Sequence, residues 1–178
     1  RKIELVNSLL FTLPGSPIMY YGDEIGMGDN INLPDRNGVR TPMQWDDSPN
    51  AGFSAVTPFT ELVQGDFGYE QVNVAAQLND PDSLFRVIAR MIAIRKQHAA
   101  FGGGSLEWIE TGNPAISAYL RKHDGDAVVV FQNLSDAVQV VQIPADYQKT
   151  ALDLFTNHSF SLGASLELRP CSYLWLQL

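Results

Sequence analysis

The sequence is poor in cysteine, in basic residues and in long apolar runs, and each shortage excludes a class of protein. Its single cysteine, Cys171, cannot form a disulfide within the chain, as expected for a cytoplasmic protein. Lys and Arg number 12 against 20 Asp and Glu, and the net charge of −8 argues against a nucleic-acid partner. No apolar run approaches the roughly 20 residues that cross a bilayer, so no membrane partner is expected.

Histidine is also scarce, and no metal or cofactor is predicted. The three histidines are His98, His123 and His158. They are scattered, the first at a predicted helix end and the others in predicted loops, so with one cysteine they form no zinc pattern. Loop residues 29–37 are rich in oxygen, but Val39 and Arg40 stand where a calcium loop starting at Asp35 needs Asp or Asn and then Gly. No glycine-rich phosphate loop precedes a helix.

Among the features present, residues 14–45 combine a buried-strand pattern with a polar loop. Before them, residues 3–13 predict a helix whose apolar face carries Val6, Leu9, Leu10 and Leu13. Residues 17–22 are a short apolar run that predicts a strand buried on both faces, as in a parallel sheet. Ligands bind at the carboxyl ends of such strands. We therefore expect the long loop over residues 23–80 to face a ligand.

Four residues in this loop, Asp23, Glu24, Arg40 and Trp45, have side chains that could contact a ligand. Asp23 and Glu24 are adjacent, so on an extended backbone they point to opposite faces and cannot act as the paired carboxyls of a retaining glycosidase. A rim position is favoured for both. Arg40 precedes Thr41-Pro42, which restrains its backbone, and its guanidinium could hold a carboxylate or sugar hydroxyls, or form a structural ion pair. Trp45 is interpreted as a packing residue, with sugar stacking as the alternative.

The motifs YYGDEIGMGDN, DRNGVRTPMQW and AGF resemble the last barrel strand and following loop of the α-amylase superfamily, glycoside hydrolase family 13. Residues 68–77, the helical segment that follows and NPAISAYLR are similar, more narrowly, to the trehalose synthases. Those enzymes interconvert maltose and trehalose by a retaining intramolecular glucosyl transfer. Two alternatives stay open: an α-glucosidase or oligo-1,6-glucosidase that hydrolyses its substrate, and a noncatalytic carbohydrate-binding or packing module.

The resemblance implies roles for several residues. Arg40 closes the sugar pocket, Glu24 lies on its rim, Asp35 and Arg36 lie in a loop over its mouth, and residues 28–70 act as a lid that excludes water. The nucleophile and the acid/base come from earlier strands and have no counterpart here. The chain starts at Arg1, inside a predicted helix, and is expected to be the inactive carboxyl-terminal part of a larger enzyme. Its partners would be the missing amino-terminal barrel and, through exposed apolar faces, a second copy.

The expected fold is α/β plus all-β. Residues 1–101 would form the end of a (β/α)8 barrel, with a helix that starts at Asp80-Pro81 and ends before the glycines at 102–104. Residues 102–178 would form an antiparallel β-sandwich, because the pattern then alternates between turn signals such as Asp124-Gly125. The predicted strands cover residues 106–109, 116–121, 127–132, 138–143, 151–155, 166–169 and 173–178. Four aromatic residues on them, Trp108, Tyr119, Tyr173 and Trp175, are expected in the core.

Overall fold

The computed structural model describes all 178 residues, which divide into two compact units. The first unit contains Arg1–Pro17 and Arg90–Leu178, and the second contains Ile18–Ala89. The helices are α1 (Lys2–Thr12), α2 (Val74–Asn79), α3 (Leu84–Gln97) and α4 (Ala99–Gly103). The strands are β1 (Ser105–Trp108), β2 (Ile116–His123), β3 (Asp126–Asn133), β4 (Gln139–Gln142), β5 (Thr150–Asp153), β6 (Ser159–Ser161), β7 (Ser165–Leu168) and β8 (Tyr173–Gln177). None of the helices is both long and apolar enough to cross a bilayer.

All eight strands lie in the first unit and pair in antiparallel fashion. Six form one sheet in the order β1-β2-β3-β8-β5-β6, and β4 pairs with β7 in a second sheet. The predicted hairpin joins β2 to β3, with positive φ at Asp124 and Gly125. The sandwich prediction is confirmed. The sequence pattern missed only β6, because three residues with a single apolar side chain are too short to show alternation.

One face of the larger sheet packs against the smaller sheet to form the apolar core. The core residues alternate along the strands, as a sandwich requires. They are Ile109, Ile116, Ala118, Leu120, Val129, Phe131, Val141, Ile143, Ala151, Leu162, Leu166, Leu168 and Leu176. Burying these side chains is the main stabilising contribution to this unit.

The opposite face of the larger sheet is covered by α1 and α4, and several of its buried side chains are polar. Ser8 on α1 accepts hydrogen bonds from Trp175 Nε1 and Gln132 Nε2, both at 2.9 Å. Thr12 and Tyr119 share a hydrogen bond of 2.5 Å between their hydroxyl groups. Because each buried polar group has a partner, the helix docks on this face without the cost of an unsatisfied donor.

This docking corrects the predicted apolar face of α1. Val6 is 62% exposed, whereas Leu5, Ser8, Phe11 and Thr12 are buried. Periodicity selected the wrong face because it treats Ser8 and Thr12 as polar surface residues. Their partners lie on strands more than 100 residues away in sequence, and only the tertiary structure brings them together.

Arg121 on β2 is fully buried without a carboxylate partner. Its guanidinium donates to four backbone carbonyls instead. The acceptors are the oxygens of Thr12, Phe101 (3.3 Å), Gly104 (3.0 Å) and Ser105 (3.1 Å). Two of them lie at the carboxyl-terminal ends of α1 and α4, where free carbonyls and the helix dipole favour a cation. Arg121 thus joins both helices to the sheet.

The helix predicted to begin at Asp80-Pro81 begins instead at Leu84. The Asp80 carboxylate accepts a hydrogen bond from the N–H of Asp82 at 2.9 Å, which closes a turn before the helix. Ser83 then supplies the acceptor for the first turn, since its Oγ lies 3.3 Å from the N–H of Arg86. Asp80, Asp82 and Ser83 all have side chains that can cap a helix, and the prediction placed the helix start at the first of them.

His98 lies directly after the last residue of α3, at a helix end as predicted, and its side chain is largely buried. It lies between α3 and α4, and its Nδ1 is 2.9 Å from Asp126 Oδ1. The other Asp126 oxygen accepts from the N–H of Ala100 at 3.0 Å. The glycines at 102–104 lie at the end of α4, and a Cβ on Gly104 would lie 2.3 Å from the Ala100 carbonyl oxygen. A clamp of His98, Asp126 and Ala100 therefore joins α4 to the β2–β3 hairpin.

This clamp makes the first unit sensitive to acid. Partial burial alone would raise the pKa of Asp126, but the hydrogen bonds from Ala100 and His98 and the nearby histidine charges outweigh burial, and the pKa falls below its ordinary value of 3.8. A carboxyl with a lowered pKa stabilises the fold above its ordinary pKa, and this contribution is lost as the pH falls through the folded-state value. Stability from Asp126 is therefore present at neutral pH and disappears below about pH 4.

We expect Asp126→Asn to lower the free energy of unfolding at pH 7 by about 1–2 kcal/mol, because it weakens two charge-assisted hydrogen bonds. The difference from the unchanged chain should shrink as the pH falls below about 4. Urea denaturation at pH 7 and pH 3.5 would measure both effects. Asp124→Asn is the control, since Asp124 is exposed and Asn tolerates its positive φ. An equal difference at both pH values would contradict the role of the ionised carboxylate.

The strand predicted over residues 17–22 is not formed. Residues 17–20 have no strand pairing, Ile18 is 85% exposed and Gly22 lies in a turn with φ of +94°. A parallel strand requires neighbouring strands for its backbone hydrogen bonds. Every strand of this chain lies in residues 105–177, so the second unit offers no such neighbour.

Candidate functional site

The site begins in the second unit, where the chain turns sharply after Tyr21. Gly22 and Gly26 both have positive φ and bracket a 3₁₀ turn over Asp23–Ile25. Glu24 Oε2 accepts from the N–H of Gly22 at 2.8 Å, and Asp23 Oδ2 accepts from the N–H of Tyr20 at 2.9 Å. Both carboxylates therefore hold the turn through local hydrogen bonds.

A second segment, residues 40–45, lies beside this turn. Tyr21 donates a hydrogen bond from its hydroxyl to the Thr41 carbonyl oxygen at 2.8 Å. Partial burial and the neighbouring Tyr20 raise the pKa of Tyr21, and Arg40 acts in the opposite direction. With a raised pKa, the phenol keeps its proton at neutral pH and remains a donor to Thr41. The link holds Arg40 and Glu24 on one side of the unit.

Two glutamines anchor this arrangement, and the sequence analysis did not single them out. Gln44 is fully buried and donates from Nε2 to the carbonyls of Phe67 (3.1 Å) and Val72. Gln77 on α2 donates to the Ile25 carbonyl at 2.7 Å and accepts from the N–H of Phe85 at 3.0 Å. The motifs at 42–45 and 72–77 are therefore coupled physically. The main chain adds to the coupling, since the N–H groups of residues 74 and 75 donate to the carbonyls of residues 44 and 45.

These elements enclose a cavity of about 660 Å³ within the second unit. Its lining residues are Tyr21, Glu24, Arg40, Thr41, Pro42, Met43, Trp45, Phe53, Ser54, Val56, Thr57, Pro58, Phe59 and Thr60. Arg40 is the one cation and Glu24 the one carboxylate among them. A mainly apolar, aromatic cavity with a few polar groups is the usual form of a small-molecule site.

The structure brings together only some of the predicted site residues. Glu24 and Arg40 both line the cavity. Asp35 and Arg36 do not line it; they are exposed and pair with each other, Nε to Oδ2, at 3.3 Å. Trp45 lines the cavity and is 50% exposed, so its interpretation as a packing residue is wrong.

Other cavity residues carried no signal in the sequence. Phe59 is an exposed aromatic side chain in an irregular segment between residues 46 and 64, where no periodicity marks an inward face. Phe53, also exposed, belongs to the AGF motif, but the motif did not indicate that its ring lines a cavity. Phe59 in particular has no shielding from its neighbours. An alternating or helical pattern is needed to assign a face to a residue, and this segment has neither.

The oxygen-rich loop near residue 30 forms turns. Asn30 Oδ1 accepts from the N–H of Asn32 at 3.1 Å, and the N–H of Asn30 donates to the Gly38 carbonyl at 3.0 Å. The Gly38 backbone approaches so closely that a Cβ there would lie 2.8 Å from the Asn30 oxygen. No group of three or more His, Cys, Asp or Glu side chains is placed to hold a metal ion.

Comparison with known proteins shows where this architecture belongs. Residues 1–104 match the family model described as the catalytic domain of α-amylase. The chain belongs to the α-amylase family. Residues 106–175 match the carboxyl-terminal domain of maltogenic amylase, in agreement with the antiparallel sandwich. The predicted family and fold class, the end of a (β/α)8 barrel followed by a β-sandwich, are confirmed.

Among α-amylase relatives, a trehalose synthase of Pimelobacter sp. is 49% identical over 151 residues, which cover 80% of this chain and 26% of that protein. A trehalose synthase of Thermus thermophilus is 46% identical over 168 residues, covering 90% of this chain and 17% of that protein. An oligo-1,6-glucosidase of Parageobacillus thermoglucosidasius is 30% identical over 209 aligned positions, which cover 96% of this chain and 36% of that protein. The chain thus spans about a quarter or less of the trehalose synthases that it matches.

The chain also superposes on solved structures over almost its whole length. The trehalulose synthase MutB of Pseudomonas mesoacidophila superposes with a TM-score of 0.85 at 26% identity, covering 99% of this chain and 38% of that enzyme. A mutant of the same enzyme has been solved with its substrate sucrose. Almost every residue of this chain therefore has a counterpart in the fold of a sugar-converting member of the family.

Proposed function

We propose that this chain is the carboxyl-terminal segment of a cytoplasmic enzyme that interconverts maltose and trehalose. The observation that carries the proposal is the difference in identity between two groups of relatives. Identity to trehalose synthases is 44–49% over at least 80% of the chain, whereas identity to oligo-1,6-glucosidases is 28–30% over similar coverage.

The proposed mechanism is a retaining transfer within one molecule. An aspartate of the barrel attacks the anomeric carbon of maltose, and a glutamic acid protonates the leaving oxygen, so that a covalent glucosyl-enzyme and free glucose form. The glucose turns in a closed pocket, and its anomeric hydroxyl attacks the glucosyl carbon. The bond to the aspartate breaks, the glutamate takes the hydroxyl proton, and trehalose forms. In the α-amylase family both carboxyl groups come from earlier strands, which precede the counterpart of this segment.

The cavity supports this division of labour. A retaining glycosidase needs two carboxyl groups about 5 Å apart. Glu24 is the one carboxylate that lines the cavity, and it is bonded to the N–H of Gly22. The cavity therefore lacks the carboxyl pair that would break a glycosidic bond, which supports a binding role for this segment.

Binding is assigned to four residues. Arg40 would close the pocket beyond the sugar at the cleavage point, and Glu24 would lie on its rim. Asp35 and Arg36, paired on the exposed loop, would contact sugar at the pocket mouth. Residues 28–70 would act as the lid, since water that reaches the covalent intermediate yields free glucose in place of trehalose.

The proposal also sets the domain division and the partners. We place the boundary after residue 101, with residues 1–101 completing the barrel and 102–178 forming the carboxyl-terminal domain; the ranges of the two family matches support this division. The missing amino-terminal barrel would cover exposed apolar side chains such as Ile18 and Ile31. In its absence these side chains favour association with a second copy of the chain.

The alternative is hydrolysis by an α-glucosidase or oligo-1,6-glucosidase, favoured by the 30% identity to the oligo-1,6-glucosidase. Both enzymes would share the scaffold and the covalent intermediate. They differ in whether glucose or water attacks that intermediate.

The test is to incubate the longer enzyme that contains this segment with maltose and to separate trehalose from glucose by chromatography. We expect trehalose as the main product. Glucose alone would establish the hydrolase. In parallel, the purified 178-residue chain should convert neither maltose nor trehalose above the rate of buffer, because it lacks the catalytic carboxyl pair. Turnover by that chain would overturn the division of labour.

A further inference from the structure

Trp108 at the end of β1 is exposed, although the sequence pattern predicts it in the core. Strand β1 forms one edge of the six-stranded sheet, and 62% of Trp108 is accessible to solvent. By contrast, Trp175 on a central strand is fully buried. An exposed indole on an ordered strand is uncommon and presents a large apolar surface to water.

Tyr119 on the neighbouring strand β2 holds the Trp108 indole in position. Trp108 pairs with Tyr119 across the β1–β2 ladder, and the two rings meet edge to face, with centroids 5.4 Å apart and planes at 83°. Tyr119 is itself fixed, because its hydroxyl bonds to Thr12 and lies 3.3 Å from Gln132 Oε1. The exposed ring is therefore preorganised, which lowers the entropic cost of binding against it.

Trp108 lines a cavity of about 410 Å³ in the first unit. Glu110, Thr111 and Asn113 also line it and supply a carboxylate, a hydroxyl and an amide. No Lys, Arg or His lines it, so nothing in the cavity would hold a phosphate or another anion.

The polar wall is ordered. The Asn113 amide donates to Gln139 Oε1 at 2.8 Å and accepts from the N–H of Ala115 at 3.0 Å. Thr111 Oγ1 lies 3.4 Å from the N–H of Asn113. The loop after β1 thus keeps its shape without a ligand, and Glu110 makes no hydrogen bond or ion pair within the chain that would occupy its carboxylate.

We propose that this cavity binds a neutral oligosaccharide, with a sugar ring stacked on Trp108 and its hydroxyls bonded to Glu110, Thr111 and Asn113. The apolar C–H face of a pyranose complements a flat aromatic ring, and its hydroxyls complement uncharged donors and acceptors and a free carboxylate. The site belongs to the carboxyl-terminal sandwich and does not depend on the reaction proposed above.

The test is an NMR titration of the 178-residue chain with maltotetraose, following the indole N–H signals of its three tryptophans. Trp108→Phe assigns the signal of Trp108. We expect that signal to shift saturably, with a dissociation constant on the order of 1 mM, as for a small exposed site. Glu110→Ala should weaken binding at least tenfold at the Trp108 signal, and Trp108→Ala should do the same at the backbone N–H signals of residues 109–113. Val140→Ala, at an exposed position of β4, is the control and should bind as the unchanged chain does.

Each result decides the proposal. Saturable shifts at Trp108 that Glu110→Ala abolishes support it; Glu110 lies outside β1, so this variant leaves the strand and the reporting indole in place. No shift at 20 mM sugar overturns it. Binding that survives in both variants but disappears in Trp45→Ala assigns the sugar to the cavity at Arg40 and also overturns it.

Discussion

Replacement of Arg121 by Met is expected to destabilise the first unit by about 3–5 kcal/mol, the largest effect that we expect of any single substitution on folding. Methionine fills much of the same volume but donates no hydrogen bond. The carbonyls of Thr12, Phe101, Gly104 and Ser105 would lose their donor in a buried environment. Removing the buried charge recovers some desolvation free energy, but four buried acceptors cost more than this recovers.

Urea denaturation measures the effect directly, and a thermal melt should show a midpoint lowered by roughly 10 °C for a chain of this length. Lys122→Met is the matched control, because Lys122 is the next residue on the same strand and is exposed. It should change the free energy of unfolding by less than about 0.5 kcal/mol. Arg121→Lys should fall between the two, since an ammonium group cannot reach all four acceptors. Equal midpoints for both Met variants would show that Arg121 does not join α1 and α4 to the sheet.

The second large effect concerns Arg40 in the longer enzyme. We expect Arg40→Ala to lower kcat/KM for maltose about 100-fold, equivalent to about 2.7 kcal/mol of transition-state stabilisation. Arg40 is the one cation that lines the cavity, and hydrogen bonds from a guanidinium are among the strongest that a protein makes to an oxygen ligand. If the arginine also closes the pocket, water will reach the covalent intermediate more easily, and glucose should rise as a share of the products.

Steady-state kinetics with separate measurement of trehalose and glucose would test both parts. Arg90→Ala is a matched control, since Arg90 is exposed on α3 and lies outside the cavity. Arg36→Ala tests the other arginine that is proposed to bind sugar, which lies on the exposed loop with Asp35. Unchanged kinetics in Arg40→Ala together with a large loss in Arg36→Ala would transfer the pocket-closing role to Arg36. Unchanged kinetics in both would leave the site with a scaffold function only.

The family was readable from local sequence because its motifs are short and contiguous. Residues 20–30 and 35–45 sufficed for the α-amylase assignment, which the family match over residues 1–104 confirms. The structure shows that these motifs are linked to each other by hydrogen bonds. Gln44 and Gln77 bond to carbonyls on other segments of the same unit, so the motifs depend on each other's geometry.

The candidate site was only partly predictable. Glu24 and Arg40 belong to motifs and were found, whereas Phe59 lies in an irregular segment without a period and was not. Trp45 and Trp108 were assigned to packing because aromatic residues are usually buried. Whether an aromatic ring is covered depends on what lies across from it, and a single strand or loop does not contain that information.

The sequence by itself determined the α-amylase family, the positions of α1 and most strands, and the β2–β3 hairpin, because these follow from local pattern and turn chemistry. Only the tertiary structure decided which face of α1 is buried, that Arg121 is satisfied by backbone carbonyls, that His98 pairs with Asp126, and that residues 17–20 remain unpaired. The physical reason is the same in each case. Burial of a polar group, or pairing of a strand, depends on partners that are distant in sequence, and periodicity reports only what is near.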